Sequence, residues 1–202
     1  PRMARLAAML LLTLRGTPTL YYGDEIGMTD VPIPADEVQD PFEKNKPGMG
    51  LGRDPERTPM QWSAEAHAGF TTGIPWLRLA SDWHMHNVEV QSRDPGSMLA
   101  LYKRLIALRC AQPALHRGSY EALEAGDEML AYARESDGQR LVVILNFGAT
   151  SAPVSPALLP RQPIVLASTD PARAGSIEGP LVLAPCEGVL IGAVSDKGPT
   201  TR

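Results

Sequence analysis

Between Gly27 and about Val88 the sequence keeps neither a helical nor a strand period, although ordered patterns lie on both sides. That gap is about sixty residues. Compact proteins rarely hold a structureless connection longer than about 15 residues unless the loop itself is functional. The stretch is rich in Pro and Gly, as in VPIPADEVQDPFEKNKPGMGLG (31–52), which favours turns over regular elements. The fold must therefore be one that can carry a long working loop on a rigid frame.

The flanks describe that frame. Arg2–Leu14 is apolar enough to be a buried helix. Its run Leu6–Leu14 falls short of the about 20 residues needed to cross a bilayer, and no small-x-small cleavage pattern follows. The chain starts at Pro1, not Met, so we expect it to begin inside a longer protein. Arg15-Gly16-Thr17-Pro18 is a turn, and Thr19–Tyr22 (TLYY) is a short β-favouring run that stops at Gly23-Asp24-Glu25. Helix, turn, strand and polar loop in that order are the grammar of an α/β layer.

Beyond the gap, Asp94-Pro95 reads as an N-cap followed by Pro at the first helical position. Met98, Leu101, Tyr102, Leu105 and Leu108 recur at helical spacing, and Pro113 ends the run. From Gly118 the period changes to two. Met129–Ser136 and Gln139–Phe147 flank Asp137-Gly138, a strong hairpin signal. Pro163–Ser168, Pro180–Ala184 and Gly188–Val194 are further short strands. No helix interrupts them, so a small antiparallel sandwich is expected, with a boundary near Pro113–Gly118. There is no internal repeat.

Composition narrows the function. A net charge of −4 without a basic stripe argues against nucleic acid and against an anionic membrane surface. Two cysteines, Cys110 and Cys186, make no disulfide framework, and a reduced cytoplasmic protein is expected, although a single bridge between them stays open. His84-Met85-His86 lacks the further ligands of a metal site. Gly48-Met49-Gly50-Leu51-Gly52 leads to no Lys or Ser/Thr, and no G-x-S-x-G elbow occurs. Trp76 and Trp83 read as packing residues. The pairs Asp24/Glu25, Asp36/Glu37 and Asp54/Glu56 invite comparison with glycosidase carboxylates, which stand about 5–5.5 Å apart in a retaining enzyme. Neighbours on an extended chain point to opposite sides, so each pair alone reads as solvated loop.

RDPERTPMQW (53–62) is more specific. A guanidinium fixed in a loop can fork onto vicinal hydroxyls or a carboxylate, and its permanent charge lowers a neighbouring carboxylate's pKa. The plainer reading is that Arg53 and Asp54 pair to brace the loop.

GTPTLYYGDEIGM (16–28), GRDPERTPMQW (52–62) and AGFTTGIPW (68–76) together resemble the C-terminal third of α-amylase-superfamily α-glucosidases, of the oligo-1,6-glucosidase type. The helix DPGSMLALYKRLIALR (94–109) fits the same place, and the resemblance continues weakly to the end of the chain. It implies an α/β fold: the C-terminal end of a (β/α)₈ barrel over residues 1–113, then an antiparallel β-sandwich domain over 114–202. Thr19–Tyr22 would be the eighth strand, Asp94–Ala111 the eighth helix, and the long loop between them would cover the active site, where barrel chemistry sits. It implies that Arg57 contacts the innermost glucose, with Arg53 beside the same pocket and Asp36, Glu37 and Gln39 toward the aglycone. Met60 and Trp62 are expected to pack the loop in place.

The resemblance further implies a retaining reaction on a small oligosaccharide or disaccharide, without a cofactor. Its nucleophilic Asp, acid/base Glu and stabilising Asp would precede Pro1, so residues 1–202 alone are expected to be inactive. Two alternatives stay open: a transglucosylase or sucrose isomerase of the same family, and a non-catalytic carbohydrate-binding or scaffold protein.

Overall fold

The computed structural model describes residues 2–193, so Val194, the end of the last expected strand, lies outside it. The chain forms two compact units, one built from residues up to Thr19 and from Leu101 onward, the other from Leu20–Ala100.

In the first unit, α1 (Arg2–Thr13) buries Leu6, Ala8, Met9 and Leu12 while Met3 stays half exposed. The helix is therefore one-sided rather than buried all round. The second helical pattern becomes α4 (Met98–Ala111), after the two short helices described below. It starts four residues later than expected. Asp94 Oδ1 accepts from the Gly96 N–H at 2.8 Å and closes a turn around Pro95. The capping role passes to Ser97, whose Oγ accepts from the Ala100 N–H at 3.1 Å. Pro113 not only follows the end of α4 but also opens α5 (Pro113–Arg117), where its missing N–H is no loss.

The strands are β1 (Ser119–Leu123), β2 (Met129–Ser136), β3 (Gln139–Asn146), β4 (Ala152–Pro153), β5 (Pro163–Ser168), β6 (Gly175–Ser176), β7 (Val182–Leu183) and β8 (Gly188–Ala193). Six form an antiparallel sheet in the order β1-β2-β3-β8-β5-β6, and β4 pairs with β7 in a second, two-stranded sheet. The β2–β3 hairpin turns on Asp137 (φ 51°) and Gly138 (φ 74°), the two positive dihedrals that a two-residue hairpin requires. The expected strand Pro180–Ala184 shrinks to β7, the stretch that faces β4.

Why β3 reads LVVIL rather than alternating follows from its two covers. Val142 and Ile144 pack with Ala131, Val189 and Ile191 against Val154, Leu181 and Leu183 of the small-sheet layer. The opposite face meets α1: a Cβ on Gly188 would lie 2.6 Å from Leu145, 2.8 Å from Leu6 and 3.1 Å from Met9. Gly188 is thus a glycine because helix and sheet approach too closely for any side chain. A bulge at Leu166 interrupts the β5–β8 ladder, and the Arg104 guanidinium donates to the Leu166 carbonyl at 2.6 Å.

Two buried arginines complete this unit. Arg134 donates to the carbonyls of Thr13 (2.6 Å), Ser119 (2.8 Å) and Gly118 (3.1 Å). Arg109 donates to those of Leu12 and Leu14, at 2.8 and 2.9 Å, and to that of Gly16. Both cations therefore satisfy carbonyls at and just beyond the C-terminal end of α1, where the helix dipole is negative. Tyr132, fully buried, shares a 2.6 Å hydroxyl hydrogen bond with Thr13, and burial pushes its phenol up to about 12.

Thr19–Tyr22 departs from expectation. It joins no ladder among the described residues, Tyr22 already lies in a turn, and Leu20, Tyr21 and Tyr22 are 41–45% exposed. A strand exists only by pairing its main chain with a neighbour, which sequence preference alone cannot supply. Among the described residues no helix is long and apolar enough to cross a membrane, and Cys110 and Cys186 are both free thiols.

Candidate functional site

The second unit, Leu20–Ala100, contains little regular structure: a 3₁₀ turn at Asp24–Ile26, α2 (Pro41–Asn45), a second 3₁₀ turn at Ala66–Gly69 and α3 (Val88–Ser92). Its apolar core is small, with Ile26, Met60 and Leu99 buried and Met28 and Val88 packed against them. Side chains that bond to the main chain do most of the remaining work.

Gly23 (φ 91°) and Gly27 (φ 70°) bracket the first turn, both left-handed. Gly23 can also bear no side chain, since a Cβ would lie 2.9 Å from the Met28 sulfur. The turn points Ile26 into the core and leaves its carbonyl to accept from Gln91 Nε2 at 2.7 Å and to contact His86 Nε2. Glu25 Oε2 accepts from the Gly23 N–H at 2.8 Å, and the Tyr22 hydroxyl donates to the Thr58 carbonyl at 3.0 Å.

The motif at 53–62 is anchored through two buried carboxylates. Asp54 Oδ2 accepts from the main-chain N–H groups of Gln39 (2.5 Å) and Asp40 (2.8 Å). Asp40 in turn accepts from the Arg53 N–H at 3.0 Å, from Arg53 Nε at 2.8 Å and from the Phe42 N–H at 2.8 Å, where it caps α2. The Arg53 guanidinium, followed by the α2 cap, holds the Asp40 carboxyl well below the usual carboxylate range. The brace is therefore Arg53–Asp40, not Arg53–Asp54. Farther along, Gln61 Nε2 donates to the His86 carbonyl at 2.7 Å, and the Val88 and Glu89 N–H groups donate to the carbonyls of Gln61 and Trp62.

Arg57 lies between these anchors. Its main-chain N–H donates to the Asp54 carbonyl at 3.0 Å, and Thr58, Pro59 and Met60 directly after it are buried. Its guanidinium has no hydrogen-bond or ion-pair partner among the described residues. It lines a cavity of about 420 Å³ with Tyr22, Glu25, Trp62, Phe70 and Trp76, closed below by Thr58–Met60. Burial raises the Tyr22 phenol, neighbouring Tyr21 adds to the rise, and Arg57 pulls it the other way. One free guanidinium, one carboxylate and four aromatic rings suit a neutral polyhydroxylated ligand: the polar groups meet hydroxyls and the rings meet C–H faces.

The other expected site residues lie outside that lining. Arg53, with 53% of its side chain exposed, is held by Asp40. Glu37 is paired with Arg78, whose Nε donates to it at 2.8 Å, and that pairing lowers the Glu37 carboxyl. Asp36 is exposed, and the Gln39 side chain accepts from Lys44 Nζ at 3.4 Å. Met60 packs as expected, at 4% exposure. Trp62 and Trp76 do not: at 50% and 70% exposure they form cavity wall rather than core. Trp83 is partly buried and stacks on His84 with ring centroids 3.4 Å apart. Nothing in the sequence separates a wall tryptophan from a core one, because both are simply apolar. A larger cavity of about 550 Å³ lies beside α2, lined largely by Ile33, Val38, Pro47 and Pro55 with Glu43 and Lys44. It has no aromatic ring and no guanidinium.

Residues 1–118 match the family model described as "Alpha amylase, catalytic domain", and residues 116–190 match a "Domain of unknown function (DUF3459)". The chain is 39% identical over 162 residues to an oligo-1,6-glucosidase of Halalkalibacterium halodurans, covering 71% of this chain and 29% of that protein. It is 37% identical over 175 residues to the amino acid transporter heavy chain SLC3A1 of Rattus norvegicus, covering 83% of this chain and 24% of that one. Among solved structures, trehalulose synthase MutB from Pseudomonas mesoacidophila MX-45 superposes with a TM-score of 0.78 at 31% identity, covering 95% of this chain and 38% of that chain. The chain thus spans between 24% and 38% of the length of these proteins.

Proposed function

The chain belongs to the alpha-amylase family, and on that premise we propose that it forms the sugar-pocket portion of a retaining exo-α-glucosidase that removes terminal α-linked glucose from oligosaccharides or disaccharides. Residues 1–113 are the C-terminal portion of its barrel domain and 114–202 its β-domain. Arg57 binds the terminal glucose. Arg53 stands at the neighbouring side, with the guanidinium N–H groups that Asp40 leaves free. Asp36, Glu37 and Gln39 lie toward the aglycone. The attacking carboxylate and the acid/base that protonates the leaving oxygen come from outside residues 1–202, consistent with a chain that covers 29% of the glucosidase it resembles. Two free thiols, Cys110 and Cys186, support a reduced, cytoplasmic setting.

The observation that carries this reading is the unpartnered Arg57 guanidinium in an aromatic-walled cavity, on a loop braced at both of its ends. In the enzyme that contains this chain, Arg57→Ala should lower kcat/KM for α-glucosides by at least ~100-fold, since a lost charged contact of this kind is worth about 3 kcal/mol. An unchanged kcat/KM would remove Arg57 from the site.

The likeness to a trehalulose synthase favours a second reading, transfer of glucose to a sugar acceptor rather than to water. Product analysis on maltose, isomaltose and sucrose separates the two: free glucose supports hydrolysis, rearranged disaccharides support isomerisation. The likeness to a transporter heavy chain keeps a non-catalytic scaffold in view. Absence of any product from all three sugars, in the enzyme assembled in full, would favour it.

A further inference from the structure

Two walls of the sugar pocket come from segments far apart in sequence: Tyr22 and Glu25 from the turn that ends at Gly27, and Arg57 with Trp62 from the 53–62 motif. A guanidinium and a carboxylate can serve one sugar only if something sets the distance between them. At its entry the turn is tied directly, because the Tyr22 hydroxyl donates to the Thr58 carbonyl at 3.0 Å. At its exit the tie is indirect. The Ile26 side chain is fully buried beside Met60 and Leu99, but burial is non-directional and leaves the turn free to rotate about that anchor. A hydrogen bond has an angle to satisfy, so the Ile26 carbonyl decides the rotation. Gln91 Nε2 donates to it at 2.7 Å, and the His86 ring meets the same oxygen. Glu25 follows the turn, since its Oε2 accepts from the Gly23 N–H at 2.8 Å.

Gln91 is itself held in place. It sits on α3, whose main chain is bonded to the other wall: the Val88 and Glu89 N–H groups donate to the Gln61 and Trp62 carbonyls at 2.9 and 3.0 Å. The Gln91 carbonyl accepts from Ser97 Oγ at 2.9 Å. Its side-chain Oε1 accepts from the Leu99 N–H at 3.1 Å, one of the donors that the start of α4 leaves without an intrahelical partner. That bond also fixes the direction of the amide. Turned over, the amide would set N–H against N–H at Leu99 and oxygen against oxygen at Ile26.

We propose that Gln91 is a positioning residue of the sugar pocket: through the Ile26 carbonyl it holds Tyr22 and Glu25 at a set distance from Arg57. This role rests on the glucosidase reading and deepens it with a residue outside the cavity lining.

The test uses the whole enzyme that contains this chain, with hydrogen exchange read by mass spectrometry and kinetics on maltose and isomaltose. Gln91→Glu keeps an oxygen for the Leu99 N–H but sets a second oxygen where the donor to Ile26 stood. The amides of Ile26–Met28, which close the turn onto Gly23 and Asp24, should then exchange about 10-fold faster, the size of one hydrogen bond lost. Those of α4 should keep their protection. Sugar is held less well in the ground and transition states alike, so KM should rise about 10-fold while kcat stays within about twofold. Gln91→Met loses both bonds and should loosen the turn and the start of α4 together. Glu89→Gln, on the same helix and paired with Arg93, should change neither exchange nor KM. Three results would overturn the proposal: unchanged exchange at Ile26–Met28 in Gln91→Glu; α4 loosened as much as the turn in that variant; or an unchanged KM. If the unaltered enzyme releases no glucose from either sugar, the glucosidase reading falls, and exchange alone decides whether Gln91 ties the turn.

Discussion

The unit that carries the sheet is held by main chain bonded to main chain, and the unit Leu20–Ala100 by side chains bonded to main chain. In the first, β2 and β3 pair over eight residues and bury the strip Leu141–Asn146 between two covers. In the second, Asp40, Asp54, Gln61, Asn87 and Gln91 each accept from or donate to peptide groups of distant or turning segments, around the small apolar cluster of Ile26, Met60 and Leu99. The difference is one of tolerance. A ladder distributes its strength over many similar bonds, so strand residues can change if they stay apolar. A loop tied by single carboxylates depends on each knot. The loop unit gains in return an unpaired guanidinium and exposed rings, which a ladder with its neighbours satisfied has no room to offer.

The largest effect tests the place where the sheet unit departs from its own rule. Arg134 is fully buried and satisfies three carbonyls, so Arg134→Met keeps the bulk and leaves those oxygens without donors. We expect a loss of roughly 3 kcal/mol or more, seen as a lower Tm of the sheet-containing unit in calorimetry. A change below about 0.5 kcal/mol would mean that the carbonyls find water, and that side-chain knots matter little in this unit. Gly118→Ala probes the same seam by overpacking. An added Cβ would lie 2.2 Å from the Ala114 carbonyl oxygen and 2.7 Å from that of Glu135, both main chain. Because Gly118 has an ordinary φ of −65°, the expected loss of about 1–3 kcal/mol is steric and not conformational.

A smaller and local effect is expected in the loop unit. Asp54→Ala removes the acceptor of the Gln39 and Asp40 N–H groups. That should cost about 2 kcal/mol, confined to the segment around α2. Limited proteolysis should cut within 33–53 while the sheet amides keep their exchange protection. If sheet protection falls in parallel, the two units are not separately stabilised and the comparison fails.

Legibility from sequence follows the same division. The hairpin at Asp137-Gly138 and the strand Pro163–Ser168 stand where the sequence places them, because turn dihedrals and β-branched runs are local properties. The (β/α)₈ and sandwich assignment rests on the motifs at 16–28, 52–62 and 68–76, and the family match agrees with it. Thr19–Tyr22 has a β-favouring sequence but joins no ladder among the described residues, since pairing is not a local property. The α4 start misleads because Asp94-Pro95-Gly96-Ser97 offers two cap residues, and the sequence does not say which one a turn will use first. α3 is only five residues long, capped by Asn87 Oδ1 at 2.9 Å from the Val90 N–H, and so short a helix has no period to read. Arg57, singled out by its motif, lines the cavity, whereas nothing in the sequence singles out Trp62 and Trp76, since hydrophobicity is the same whether a ring is buried or serves as a wall.

The gentlest way to sharpen the comparison is acid. The Asp40 carboxyl is held below its ordinary value by Arg53 and by the α2 cap. The unfolded chain has the ordinary value, near 4, so Asp40 contributes stability that is complete above about pH 4 and is lost as pH falls through the lowered folded value. Trp62, Trp76 and Trp83 all lie within Leu20–Ala100, so tryptophan fluorescence reports on that unit alone. We expect the tryptophan signal to begin changing below about pH 4, ahead of the loss of sheet ellipticity. Asp40→Asn cannot carry the charge that Arg53 stabilises, so its stability should be lower at neutral pH and flatter with acid. If tryptophan emission and sheet ellipticity instead move together at every pH, and Asp40→Asn leaves the curve unchanged, then the carboxylate knots do not set the loop's stability, and the apolar contacts of Ile26, Met60 and Leu99 must hold it.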